Sequence, residues 1–225
     1  MINLIVTLTS ISHLATEPTI DIHKWTVQVY GPEITFDIKR NGKNIGTHEV
    51  NFQIRNEQLL VEAKTRIRVK FLFFTAFKFD YTAKEIWQDG EIVSLQSFTN
   101  DNGKITNVNL EYGANVVNVI NDGKNYSNSL DGPVYTTNHW NPNVLNASEV
   151  LNTITGKSNK IQIDQMEKEM VPTSTGERPA MHHRYNGELN NISSWYDDKM
   201  RWVGLIFQGK DGSLISYECN LCGDE

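Results

Sequence analysis

With 39% hydrophobic and 10% aromatic residues in 225, the chain has ample material for a buried core, which argues against disorder. Its formal net charge of −6 argues against a general nucleic-acid binder, because phosphate contacts need a basic footprint. Only two cysteines occur, Cys219 and Cys222, and a lone CxxC lacks the second pair or the histidines that a structural zinc site needs.

Residues 1–20 read as a weak or truncated signal peptide or a flexible tail. The stretch is apolar at first, but no Lys or Arg precedes Lys24 and His13 interrupts the run. It is too short and too polar to span a membrane. Localisation is therefore expected to be periplasmic or secreted, with the cytoplasm as the alternative. Residues 21–219 read as a single β-barrel-like domain and 220–225 as a C-terminal tail carrying the second cysteine.

From Trp25 onward the pattern is period two. Ile34, Phe36 and Ile38 alternate with Thr35, Asp37 and Lys39, and Asn41-Gly42 then signals a tight hairpin turn. Ile45 to Ile54 reads as the return strand with Val50, Phe52 and Ile54 inward, and Asn56-Glu57 as the next reversal. Residues 59–87 alternate strictly: Val61, Ala63, Thr65, Ile67 and Val69 fall on one face, Lys64, Arg66, Arg68 and Lys70 on the other. This is too long for one strand of ordinary length, so the apolar knot at Leu72, Phe73 and Phe74 is expected to be a corner. Beyond it Phe77, Phe79, Tyr81 and Ala83 keep the apolar phase.

Glu91–Thr99, Lys104–Tyr112, Ala114–Ile120 and Lys124–Ser129 read as further short strands, separated by turns rich in Asn, Asp and Gly. The rhythm breaks at residues 131–158, where Asn141 could cap a helix from Pro142 to about Leu151, the only helical candidate. Long irregular segments inside β domains are usually functional. Lys160–Glu169, Arg178–Glu188, Ile192–Asp197, Met200–Gln208 and Ser213–Cys219 complete the set. The expected fold is all-β: a single antiparallel meandering barrel or strongly curved half-barrel of about 11–13 strands with one short helix.

Four stretches as they stand here carry a family resemblance: IRVKFLFFTAFKFDYTAKEIWQDGEIVSLQSFTNDNGK, NHWNPNVLN, LNTITGK and SSWYDDKMRWVGLIFQGKDGSLISY. On these the chain resembles the bacterial proteins grouped as domain of unknown function family 6134, and more distantly a related exported β-barrel family. The resemblance implies an exported all-β domain with no established activity, and it supplies no catalytic residues to carry over.

The candidate site is therefore read from the residues. Arg66 and Arg68 either sit on a solvated outer face or point into a cavity to fix an anionic group; inside, each would need Glu85 or the ligand as a partner. Phe77, Phe79, Tyr81 and Trp87 are core packing or the lining of an apolar pocket. His139, Trp140 and Asn141 lie on the irregular segment. His139 could act as a general base with Glu85 or Asp131, or the His-Trp pair could plug a barrel end with Asn141 as a helix cap. His182 and His183 are adjacent, so on a strand they face opposite ways and cannot share a metal. No metal and no cofactor is expected, nor any nucleic-acid partner. The expected function is binding of a lipid-like or amphipathic anionic small molecule in the bacterial envelope. The alternatives are a barrel lyase, isomerase or cyclase working through His139 and Glu85, and an envelope scaffold or assembly factor.

Overall fold

A computed structural model describes residues 21–71, 74–111, 116–121, 123–129 and 134–223. The described residues begin with a helix, α1 (Ile22–Tyr30), where the sequence pattern suggests a strand phase. The segment is rich in β-branched and aromatic residues, which hides its helical spacing: the buried positions are Ile22, Thr26 and Tyr30, four apart. Tertiary contacts decide the matter. The Tyr30 hydroxyl donates to the Trp140 carbonyl (3.0 Å) and accepts from the Trp202 amide (2.8 Å), while its ring stacks on Phe52 at 5.3 Å. Gly31, at φ 72°, ends the helix and donates its N–H to the Val27 carbonyl.

Fourteen strands follow: β1 (Glu33–Arg40), β2 (Lys43–Arg55), β3 (Gln58–Phe71), β4 (Phe74–Gln88), β5 (Glu91–Asp101), β6 (Lys104–Glu111), β7 (Val116–Asn121), β8 (Lys124–Ser129), β9 (Glu149–Leu151), β10 (Ser158–Thr173), β11 (Gly176–Gly187), β12 (Ile192–Tyr196), β13 (Trp202–Gln208) and β14 (Leu214–Leu221). All pair antiparallel in one sheet of order β8-β7-β6-β5-β4-β3-β2-β1-β14-β13-β12-β11-β10-β9. The sheet is not closed: β8 and β9 are its two end strands, and β9 is bridged through Leu151 to Thr136. The count exceeds the expected 11–13 by β9, which lies where the helix was expected to continue. That helix is only a 3₁₀ turn, Pro142–Asn146, capped by Asn141, whose side chain accepts from the Asn143 amide (3.0 Å).

The turns read from sequence form for the expected reason. Asn41, Asp89 and Asn102 sit at φ 46°, 52° and 53° before Gly42, Gly90 and Gly103, the left-handed pair that tight hairpins require. The corner expected near residue 72 is the β3–β4 hairpin, whose register ends at Phe71 opposite Phe74; Leu72 and Phe73 lie outside the described residues. Of the three β2 positions expected inward, Val50 and Phe52 are buried, whereas Ile54, next to the end of the strand, is 47% exposed.

Two features thicken the curved sheet. Residues 134–157 run through its concave side, tied by the Thr136–Leu151 parallel bridge and by the contact of Gly156 with Val108 and Val119. On the convex side the β10–β11 hairpin bends at a register shift between Gln165 and Lys168 and crosses β13 and β14, where Ser174 donates its N–H to the Cys219 carbonyl (2.9 Å). Gly204 leaves the space that Val171 fills. Cys219 and Cys222 are joined as a disulfide, and both belong to the main core cluster. β14 thus runs through Leu221, past residue 220, where a tail was expected to begin.

Candidate functional site

Alternation puts Tyr81, Glu85 and Trp87 on one face of β4, and that face is the concave one. Glu85 is a carboxylate 1% exposed, and both its oxygens are occupied. Oε1 accepts from Thr136 Oγ1 (3.0 Å) and Asn138 Nδ2 (2.5 Å); Oε2 accepts from the indoles of Trp87 (2.9 Å) and Trp140 (3.2 Å). Burial raises its pKa above the usual carboxylate range, and the four donors act against that rise. Beside it the Tyr81 hydroxyl bonds Asn138 Oδ1 (3.0 Å) and Thr153 Oγ1 (2.7 Å), and burial pushes its pKa upward too. Glu85 therefore anchors the irregular segment to the sheet.

A second polar group lies under β2 and β13. His48 Nδ1 meets Thr65 Oγ1 at 2.8 Å, with Trp202 and Tyr217 around its ring, each at 5.5 Å. His139 Nδ1 meets the Tyr185 hydroxyl at 3.1 Å, and its ring lies 5.4 Å from Trp202. Burial lowers the pKa of His139 to about 4; burial, and then the charge of His139, lowers that of His48 to about 3. Both imidazoles are neutral at pH 7.

Of the residues singled out from sequence, Tyr81, Glu85, Trp87 and Trp140 meet in one network, and Asn141 is buried as the cap of the 3₁₀ turn. His139 does not join it: among the described residues its imidazole bonds Tyr185, and none of Glu85's four donors is a histidine. Asp131 lies outside the described residues. Arg66 and Arg68 are on the convex face. Arg68 Nη2 contacts Asp80 Oδ1 at 2.5 Å and Lys78 Nζ contacts Oδ2 at 3.2 Å, with Arg66 Nε at 3.9 Å. Burial tends to raise the Asp80 pKa; the hydrogen bonds and charges of Arg68 and Lys78 outweigh it and hold the carboxyl below its ordinary value. The partner of Arg68 is thus Asp80, Glu85 being of opposite parity.

Phe77 and Phe79 belong to a third region, at the end of the half-barrel where the β1–β2, β3–β4, β5–β6 and β13–β14 turns gather. There Ile38, Ile67 and Ile215 are buried, and Ile45, Val69, Phe77, Phe79, Phe207 and Tyr217 surround them only partly covered. The Lys210–Asp101 ion pair (3.3 Å) joins two of these turns. A depression of about 520 Å³ beside them is lined by Tyr185, Ile192, Phe207 and Leu214 with Asn186 and Gln208.

Sequence reasoning missed His48, although it shares the phase of Val50 and Phe52 and that phase was the available signal. Thr136, Asn138 and Tyr185 carried no such signal. Their roles depend on where the irregular segment threads. His182 and His183 face opposite ways as expected: His182 stacks on Trp195 at 4.7 Å, whereas His183 packs edge-on to Tyr196. Among the described residues no cluster of three or more His, Cys, Asp or Glu is placed to hold a metal, and no helix is long and apolar enough to cross a membrane.

The model of the family described as Domain of unknown function (DUF6134) matches residues 36–220. No curated protein is significantly similar to the chain. Among solved structures, the chain is similar to a β-barrel-like protein of domain of unknown function DUF1849 from Brucella abortus. The TM-score is 0.57 at 8% identity, covering 86% of this chain and 97% of that one. At that identity the likeness concerns the fold alone.

Proposed function

We propose that this chain, which belongs to the family described as Domain of unknown function (DUF6134), is a non-catalytic envelope protein that binds a lipid-like or amphipathic anionic small molecule. The observation that carries this reading is the half-covered apolar mouth. Phe77, Phe79, Phe207 and Tyr217 keep part of their surface uncovered around a buried floor of Ile38, Ile67 and Ile215, in a sheet that does not close. Apolar concavities with few polar groups at their rim are the usual seats of small amphipathic ligands. Tyr81, Trp87, Trp140 and Asn141 fill the interior below, so they support the floor while the ligand sits at the mouth. The Cys219–Cys222 disulfide supports an oxidising compartment, in line with an envelope location. Acid–base catalysis draws less support: Glu85 has both oxygens occupied and His139 faces Tyr185.

The test is a titration of the purified protein with a fluorescent long-chain fatty acid, for wild type and Phe77→Ala. Saturable one-to-one binding is expected, weakened roughly tenfold by Phe77→Ala through the lost apolar contact. Non-saturable binding, or an unchanged affinity in the variant, would refute the assignment.

A further inference from the structure

We infer that the mouth end of the half-barrel docks on an anionic lipid bilayer, through the exposed lysines of its hairpin turns and the stretch of the β3–β4 hairpin around Arg68, Val69, Lys70 and Phe77. Four consecutive hairpins at this end each carry one exposed lysine: Lys43, Lys70, Lys104 and Lys124. None has an ion-pair partner among the described residues. Among the described acids nearby, Asp80 is engaged by Arg68 and Lys78, Asp101 by Lys210 and Asp211 by Arg40, while Glu188 accepts from the Lys160 amide; Asp122, two residues before Lys124, lies outside the described residues. At the opposite end the turns carry Glu57, Asp89 and Glu91 against the cation Arg55. A chain of net charge −6 thus presents a basic end and an acidic end, and only the basic one is complementary to anionic headgroups.

The β3–β4 hairpin supplies the second half of the argument. The β2 ladder stops at Gly46–Ile67 and the β5 ladder at Phe79–Asp101, followed by one bond from the Asn102 amide to the Lys78 carbonyl (2.8 Å), so the hairpin runs on past the ladders of both neighbours. Its inner side carries Val69 and Phe77, partly covered, and its outer side Arg68 and Lys70. An apolar face flanked by cations on a projecting element suits the boundary between headgroups and acyl chains. The docking deepens the proposed function by naming the bilayer as the source of the amphipathic ligand, and in that part it rests on that reading.

The experiment is co-sedimentation of the full chain with phosphatidylcholine vesicles, with and without phosphatidylglycerol, at low and high salt. Binding is expected only to the anionic vesicles and to weaken at high salt. The double variant Lys104→Gln/Lys124→Gln should lose about twenty-five-fold in partitioning, at roughly fivefold per lysine near the surface. Asp89→Asn/Glu91→Gln, at the acidic end, should leave it unchanged. Equal binding to neutral vesicles, no binding by the wild type, or an equal effect of the two double variants would overturn the inference. The fatty-acid titration separates the two readings. If Lys104→Gln/Lys124→Gln binds the probe normally and no form binds vesicles, docking alone fails; vesicle binding without saturable probe binding removes the ligand reading alone.

Discussion

His48 and His139 sit in the core as neutral imidazoles, and the histidines of the unfolded chain titrate near pH 6.5. Below that pH the unfolded chain takes up protons that the folded one refuses until about pH 3 and 4. Their contribution is therefore complete above about pH 6.5 and is lost on acidification, at roughly 1.4 kcal/mol per pH unit for each histidine. Glu85 acts in the other direction: its raised folded pKa favours the fold at low pH and costs stability as pH rises past the ordinary carboxylate range. His48→Gln keeps a polar partner for Thr65 but cannot titrate. Urea unfolding between about pH 4.5 and 6.5 should then show a slope against pH smaller by about one proton. An unchanged slope would show that His48 is not buried neutral.

Among the elements, the approach of β2 to β3 depends on one residue without a side chain. A Cβ built on Gly46 would lie 2.0 Å from the Arg66 carbonyl oxygen, a backbone atom that cannot swing aside. Gly46→Ala should therefore cost about 3 kcal/mol by forcing the two strands apart where the ladder ends. Denaturant titration reads this directly, and a midpoint equal to wild type would contradict it. The β3–β4 hairpin is the element most legible from sequence, because a period of two with opposite chemistries on its faces leaves little freedom in register. The inward face had to come from the structure: Ile67 and Arg66 alternate equally well either way round, and it is α1 and residues 134–157 that cover the apolar side. α1 was misread because Val27, Val29 and Trp25 favour strands locally, while the contacts of Tyr30 with Trp140 and Trp202 lie more than a hundred residues away.

At the scale of the molecule, the open sheet has unequal edges. β9 is three residues long and held by the irregular segment beside it, whereas β8 pairs among the described residues with β7 alone and carries the polar run KNYSNS. Amide hydrogen exchange should be fastest in β8 and slowest in β1 to β4, each of which pairs on both sides. Protection in β8 equal to that in β2 would mean that its outer edge is covered.

The sequence by itself determined what is local. The alternation from Val61 to Ala83, the Asn-Gly and Asp-Gly turns and the capping Asn141 each act within a few residues, and they sufficed for an all-β meander of nearly the right strand count. The tertiary structure decided what depends on long-range packing: that the sheet stays open, that Glu85 gathers its donors from residues 136–140, that Arg68 faces outward to Asp80, and that the unpaired turn lysines share one end. An isolated pattern of periods and turns holds no term for which face another segment will cover. That covering fixes where a buried carboxylate, a neutral histidine or an exposed lysine comes to lie.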